Sequence, residues 1–321
     1  MMNGRVIYLD VARGVAMICI VVLHLTIFNF SGAASEAVGH FCHSFDTRLL
    51  FFLSGMTAAI TLGGSCKGFR ECITIIKKKT RTLFLPFMVW SVIVLPYVYN
   101  RGEWTEFFKN LFLPFDPKTG GYWFLLYIFV FQLLLIGIRF LSNQLASRIS
   151  NEFVGEILIA AVLSLTLFPI YEYVLLFLLG YFVHKYWQKY FYNELFTFAS
   201  FVFFICLYVY GQSWAEYFVV RLAMAFFACS TILGVLRKMN KPEVGGGILA
   251  YFGRNSLEIY LIHFLLAAIT RDWVIETDRL FAIPLFFLLI GVAICICWLC
   301  CKISEVLKIN SYLAFILFGK A

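Results

Sequence analysis

Charged side chains are scarce in this sequence. Of its 321 residues only 14% are Asp, Glu, Lys or Arg, whereas 62% are hydrophobic and 19% are aromatic. Soluble domains are roughly half apolar and a quarter charged, because a globule must cover its surface with polar groups. The composition therefore excludes an ordinary soluble fold.

Other common features are also missing. The chain contains no repeat, no low-complexity tract and no loop long enough to fold alone. We expect no cleavable signal peptide, since the first apolar run lacks a small-residue cleavage site and leads into another run. Most of the ten cysteines lie inside hydrophobic runs. They are interpreted as small apolar residues rather than as a disulfide framework.

What is present is a series of apolar blocks, close to the roughly 20 residues that cross a bilayer. They predict an all-α fold, a polytopic transmembrane helix bundle that forms a single domain over residues 1–321. About ten spans are predicted, at 12–31, 49–64, 82–100, 122–141, 154–170, 173–185, 195–212, 216–236, 249–270 and 281–301. The amphipathic segment 303–318 either lies on the membrane surface or crosses it.

The basic residues indicate an orientation. Most of the 26 Lys and Arg residues, Arg139 and Lys185 among them, fall in segments that are cytoplasmic if the N-terminus is inside the cell. This asymmetry follows the positive-inside rule and predicts that both termini are inside. It also accounts for the net charge of +8, so no nucleic-acid partner is expected.

The first span carries ionisable residues, which are costly in a membrane and usually mark function. His24 follows Arg13 by eleven residues, about three helical turns, so both side chains share one face about 16 Å apart along the axis. Asp10 falls near the same face. A deep histidine beside a cavity is suited to act as a general base. The alternative is a histidine that only bonds a neighbouring helix.

A second feature is the basic run Lys77–Arg81 before the third span. Such a cluster can bind a phosphate-rich ligand through point charges and forked hydrogen bonds. Anchoring on the cytoplasmic side by anionic headgroups would produce the same run, and composition alone favours that alternative.

The third feature lies in the ninth span. Ser256, Tyr260 and His263 follow the spacing i, i+4, i+7 and therefore share one helix face. His263 is again an ionisable group within a span, and we expect it to face the same cavity as His24.

Two patterns resemble metal sites. His40 and His43 lie three residues apart in the first outer loop, but they have no further clustered ligand nearby. Four cysteines fall between residues 295 and 301, where buried apolar packing is the simpler interpretation. No metal site is predicted.

Six landmarks together resemble the acyltransferase-3 family of integral membrane acyltransferases. They occur in that family's order, from near the N-terminus to the ninth span. In this sequence they read YLDVARGVAMICIVVLH (8–24), FFLSGMT (51–57), KKKTRTLFLPFMVW (77–90), YWFLLYIFVFQLL (122–134), FLLGYFV (177–183) and GRNSLEIYLIH (253–263).

The resemblance implies an O-acyltransferase of the sugar or envelope branch. Such an enzyme commonly transfers acetyl from cytoplasmic acetyl-CoA, a cosubstrate rather than a bound cofactor, to a hydroxyl of a cell-envelope carbohydrate. By position His24 is the catalytic base and Arg13 its essential partner, with Asp10 beside them. The expected location is the inner cell membrane as a multi-pass protein, with envelope glycan biosynthesis proteins as further partners.

The resemblance also assigns the basic run to acyl-CoA. Arg81 with Lys78 or Lys79 corresponds to a basic pair near the donor, although many members carry Arg-x-x-Arg where this chain has Lys-x-x-Arg. Lysine keeps the charge but loses the bidentate fork.

The oxyanion formed in acyl transfer needs hydrogen-bond donors. Candidates in or near the cavity are Ser54, Ser256, Tyr260 and His263, with Arg13 as a further possible donor.

A different class of function also fits the spans and the buried ionisable residues. A polysaccharide or lipid-linked sugar exporter without acyl transfer activity is the alternative. The chain shows no inverted-repeat symmetry, which many transporters have, and the order of the six landmarks favours the enzyme.

Overall fold

The computed structural model describes residues 6–62, 66–98, 122–145, 152–164, 170–211, 217–239, 247–270 and 273–320. These residues are 89% helical, in agreement with the predicted helical fold. The chain divides into two compact units. The first unit comprises Met1–Leu50 and Lys189–Asn310, and the second comprises Phe51–Gln188 and Ser311–Ala321.

The elements are numbered in chain order. The first half contains α1 (Ile7–Phe28), β1 (Phe30–Ser31), α2 (Ala33–His43), α3 (Asp46–Leu62), α4 (Phe69–Lys79), a π-helical turn (Thr80–Phe84), α5 (Leu85–Val98), α6 (Trp123–Leu145) and α7 (Glu152–Ser164). The second half contains α8 (Tyr171–Tyr186), α9 (Gln188–Phe191), α10 (Glu194–Tyr210), α11 (Phe218–Met239), α12 (Gly247–Arg254), α13 (Ser256–Thr270), β2 (Ile275–Glu276), a 3-10 turn (Arg279–Phe281), α14 (Ala282–Leu307) and α15 (Ser311–Phe318).

Among the described residues, five helical segments are long and apolar enough to cross a membrane. They are Ile7–Phe28, Ala33–Leu62, Trp123–Leu145, Phe218–Met239 and Ala282–Leu307. Two further apolar helices, Glu194–Tyr210 and Ser256–Ala267, are shorter. Parts of the second, third, fifth, seventh and eighth predicted spans, at 63–64, 99–100, 165–169, 212 and 216, lie outside the described residues.

Helix α1 is the centre of the first unit and packs against α2, α11, α12, α13 and α14. The crossing with α12 is so close that a Cβ at residue 253 would overlap the carbonyl oxygen of Asp10. Glycine is therefore required at Gly253, and the small residue lets the two backbones touch. This contact fixes the N-terminal half of α1, which carries Asp10 and Arg13.

A short ladder ties the far ends of α1 and α13 together. β1 pairs in parallel with β2, with Phe30 opposite Ile275 and Ser31 opposite Glu276. Each strand has two residues, so the ladder adds little sheet to a helical protein. It nevertheless fixes where the segments after α1 and α13 lie.

Two segments differ from the predicted spans. The segment predicted to be the first outer loop contains helix α2, because Ala34, Val38 and Cys42 form an apolar stripe at intervals of four residues and are buried. The ninth span, 249–270, is broken at Asn255 into α12 and α13. Hydropathy does not detect this break because both helices are apolar.

The second unit has its own close crossing and includes the C-terminal helix. A Cβ at Gly180 of α8 would overlap the carbonyl oxygen of Phe52 in α3. Helix α15 packs against α5, where the Trp90 indole donates to the carbonyl of Leu317 over 2.9 Å. The segment 303–318 is therefore divided, since residues 303–307 complete α14 and residues 311–318 pack on α5 as α15.

Candidate active site

Two histidines from different helices meet in the first unit. His24 lies near the end of α1, and its Nδ1 is 2.9 Å from Nε2 of His263 in α13. The two rings are nearly parallel, with planes 10° apart and centroids 5.0 Å apart. On its other side, His263 Nδ1 lies 2.7 Å from the carbonyl oxygen of Ile259, one turn earlier in α13.

These contacts fix the protons of the neutral pair. A carbonyl oxygen can only accept, so His263 Nδ1 is the donor to Ile259. A neutral imidazole carries one N–H, so His263 Nε2 is an acceptor and His24 Nδ1 must donate to it. The lone pair of His24 is then on Nε2. The arrangement holds one tautomer of His24 and makes Nε2 its basic atom.

Contacts at the helix ends hold the pair in place. The amide of Asn29, directly after α1, donates to the carbonyl of Thr270 at the end of α13 over 2.7 Å. The ring of Phe264 packs edge-on against His24, with centroids 5.4 Å apart. With the β1–β2 ladder, these contacts limit how α1 and α13 can move relative to each other.

A cavity of about 410 Å³ lies beside the histidine pair. His24 and His263 both line it, as expected from the sequence, and the walls come from α1, α13, α14 and the segment after α13. The remaining lining residues are Val21, Leu25, Asn29, Leu266, Ala267, Ile269, Thr270, Trp273, Ile275, Val292, Ile296 and Leu299. The histidine pair therefore lies in a mostly apolar environment. His24 both forms a hydrogen bond to a neighbouring helix and faces the cavity.

Arg13 and Asp10 form a separate pair on α1. Arg13 Nη1 donates to Oδ1 of the buried Asp10 over 3.1 Å. Because α1 is continuous, Arg13 shares a face with His24 at an axial distance of about 16 Å. At that distance the Arg13 side chain cannot contact the His24 imidazole. Neither Arg13 nor Asp10 lines the cavity.

The other predicted residues of the ninth span all belong to α13. Tyr260 is buried, and its ring centroid is 6.0 Å from that of His263. Ser256 is the first residue of the helix and is half-buried. Of the two predicted oxyanion donors Ser256 and Tyr260, Tyr260 is therefore the one nearer to the histidine pair along α13.

The remaining predicted site residues belong to the second unit. Ser54 is half-buried in α3. Lys78 is exposed and Lys79 half-buried at the end of α4. Burial, with the nearby charge of Lys78, lowers the pKa of Lys79 to about 8.

Arg81 is positioned by the C-terminus, which sequence reasoning missed. Its Nε donates to the carbonyl of Gly319 over 3.1 Å, and its guanidinium lies 5.3 Å from the centre of the Phe315 ring. Arg81 is in the π-helical turn and remains exposed. Its other guanidinium nitrogens keep donors that suit an anion. No spacing rule relates residue 81 to residue 319.

A buried ion cluster in the second unit was also missed. The count of basic residues places Arg139 and Lys185 in cytoplasmic segments and says nothing of their partners. Arg139 is only 4% exposed, and it bonds Glu152 over 2.6 Å and the fully buried Glu156. Lys185 Nζ lies 2.9 Å from both carboxylates. Tyr181 and Tyr186 donate their hydroxyls to Glu156. The cluster joins α6, α7 and α8.

Within the described part of the chain, no three His, Cys, Asp or Glu side chains are arranged to hold a metal ion. His40 and His43 instead line a second cavity of about 450 Å³, together with Glu36.

The comparisons with known proteins give one match. Residues 6–302 match the family model of the acyltransferase-3 family, described as an acyltransferase domain. No curated protein and no solved structure matches the chain significantly.

Proposed function

The chain belongs to the acyltransferase-3 family and is a multi-pass membrane acyltransferase, and from that premise we propose an O-acetyltransferase that modifies a cell-envelope carbohydrate. Acetyl-CoA is the donor, a carbohydrate hydroxyl is the acceptor and His24 is the general base. The observation that carries the proposal is the hydrogen-bonded histidine pair beside a cavity.

The proposed reaction uses His24 twice. Nε2 accepts the proton of the acceptor hydroxyl while the oxygen attacks the thioester carbonyl, so an O–C bond forms. The tetrahedral intermediate then collapses, the C–S bond breaks and the CoA thiolate receives the proton from Nε2. His263 stabilises the imidazolium by accepting from Nδ1, and it acts as a positioning residue.

Further residues have proposed roles around this step. Tyr260 is the candidate donor to the oxyanion, with Ser256 and Ser54 as alternatives. Lys78, Lys79 and Arg81 bind the phosphates of acetyl-CoA, since their cationic groups match its negative charge. Arg13, which donates to Asp10, is the residue that the family resemblance makes the essential partner of the catalytic base.

The proposed topology follows from the same premise. A single acyltransferase domain over 1–321, with about ten spans and both termini in the cytoplasm, would place the basic run on the side where acetyl-CoA is made. The proposed location is the inner membrane, where partners in envelope glycan synthesis would supply the acceptor.

The test uses the purified protein in nanodiscs with radiolabelled acetyl-CoA and envelope glycan fractions. We expect label in the glycan, and mass spectrometry should show an added acetyl ester on a hydroxyl. If the protein moves glycan across vesicle membranes but esterifies none, it is an exporter and the enzyme proposal is wrong.

The pKa of Lys79 gives a pH prediction. Because this pKa is about 8, raising the pH from 7 to 9 should neutralise Lys79 and weaken phosphate binding. We expect the KM for acetyl-CoA to rise about tenfold, the value of one charge-assisted hydrogen bond, with little change in kcat. The measurement is initial rate against acetyl-CoA concentration at each pH.

The control for this prediction is Lys79→Arg. Arginine stays protonated throughout the range, so its KM should stay nearly flat. An equal rise of KM in wild type and Lys79→Arg would show that Lys79 does not bind the donor.

A further inference from the structure

The cavity beside the histidine pair is larger than an acetyl group needs. A methyl or carbonyl group occupies roughly the volume of a water molecule, about 30 Å³, so acetyl would fill a small part of the 410 Å³. The cavity is also elongated. Its lining on α1 extends from Val21 to Asn29, a rise of about 12 Å.

The walls are suited to hydrocarbon. Apart from the two histidines, the polar lining residues are Asn29 and Thr270. The Asn29 amide is bonded to the Thr270 carbonyl, and the Thr270 hydroxyl donates to Leu266 over 3.2 Å. Away from the histidine pair, a charged or hydroxylated group inside the cavity would lose water without gaining partners. An alkyl chain would lose nothing and would gain contacts.

The position of the cavity identifies its occupant. The group that fills it lies beside His24, the proposed base, and must present the carbonyl carbon that the acceptor oxygen attacks.

Ala267 is one turn after His263 on α13, and Ile296 lines the cavity from α14. Ala267 is buried and has the smallest side chain in the lining, so it leaves room where a larger residue would close the cavity.

We propose that this cavity binds the acyl chain of the donor, that it admits unbranched chains of about four to eight carbons as well as acetyl, and that Ala267 sets the length limit. The inference rests on the proposed function, of which it specifies the donor class. Donors with a charged end, such as dicarboxylic acyl groups, are excluded by the apolar walls.

The test measures kcat/KM for acetyl-, butyryl-, hexanoyl- and octanoyl-CoA in nanodiscs at a fixed glycan concentration, with released CoA quantified by chromatography. For wild type we expect values within about tenfold from acetyl to octanoyl. In Ala267→Phe the ring should fill the cavity, so hexanoyl transfer should fall at least 100-fold while acetyl transfer changes less than threefold.

Two further variants supply a second test and a control. Ile296→Phe fills the cavity from the facing helix and should shorten the accepted chain in the same way, which keeps the test valid if Ala267→Phe does not fold. Leu288→Phe adds a similar ring on an exposed part of α14 outside the cavity and should leave the chain-length profile unchanged.

The outcomes distinguish a failure of this inference from a failure of the proposed function. A loss of more than 100-fold in wild type between acetyl- and butyryl-CoA overturns the inference but leaves acetyl transfer intact. If Ala267→Phe changes only the KM for the acceptor, the cavity binds an alkyl part of the acceptor. That result overturns the inference too. Transfer from no acyl-CoA at all overturns the proposed function, and this inference with it.

Discussion

Replacement of His24 by alanine is expected to lower the rate of acetyl transfer by a factor of about 10²–10⁴, the usual contribution of general base catalysis. The loss should appear in kcat, because the imidazole acts on the proton that moves during the reaction. The KM for acetyl-CoA should change little, since the basic residues proposed to bind the donor are elsewhere in the chain. Initial rates with labelled acetyl-CoA measure both constants.

The control replaces a histidine outside the proposed machinery. His40→Ala removes an exposed imidazole of α2, and its rate should stay within twofold of wild type. If His24→Ala keeps full transfer, or if both variants lose activity equally, His24 is not the base.

Position 263 tests the hydrogen-bonded pair itself. In His263→Gln the side-chain oxygen can accept from His24 Nδ1 as Nε2 does, so most of the activity should remain. In His263→Leu no acceptor is left and the tautomer of His24 is no longer fixed. We expect kcat to fall about 10- to 100-fold, within the range lost when an orienting partner is removed. Equal activity in the Gln and Leu variants would show that the hydrogen bond does not contribute.

Replacement of Arg139 by methionine is expected to destabilise the protein by about 3–5 kcal/mol, the cost of leaving a buried charge without its partner. Arg139 contacts Glu152 and Glu156, and Glu156 is completely buried. Without the guanidinium the cluster keeps two carboxylates and one ammonium, so an excess negative charge stays inside. The effect is measured by heating the protein in nanodiscs or detergent and monitoring the loss of its monodisperse peak.

The double variant Arg139→Met/Glu156→Leu should recover much of this loss, because it removes both charges together. Lys238→Met breaks an exposed ion pair with Glu194 and should leave the melting temperature unchanged, as expected for surface pairs. A melting temperature for Arg139→Met equal to that of Lys238→Met would show that the cluster does not stabilise the fold.

Local patterns predicted the features that depend on one helix. The eleven-residue spacing of Arg13 and His24 gives a shared face because α1 is a continuous helix, and the structure contains that helix. The apolar stripe of α2 was equally visible in the sequence but was interpreted as a loop. Hydropathy averages hid it, because Glu36, His40 and His43 interrupt the run.

Other features depend on residues far apart in the sequence. A count of basic residues places Arg139 in a cytoplasmic segment but contains no information about its partners. Its carboxylates are on a neighbouring helix, and the charge is buried against them. Arg81 was predicted from the basic run, but its contacts with Gly319 and Phe315 appear only in the folded chain.

The sequence by itself determined the membrane class, the helical architecture, the family and most of the candidate residues, because composition and helical periodicity are local properties. The tertiary structure decided which of these residues meet. His24 and His263 are 239 residues apart, and only the packing of α1 against α13 brings one imidazole within hydrogen-bonding distance of the other. That contact, with the Ile259 carbonyl behind it, also decides which nitrogen of His24 is basic. Hydrogen-bond direction is a property of the assembled site that no spacing along the chain contains.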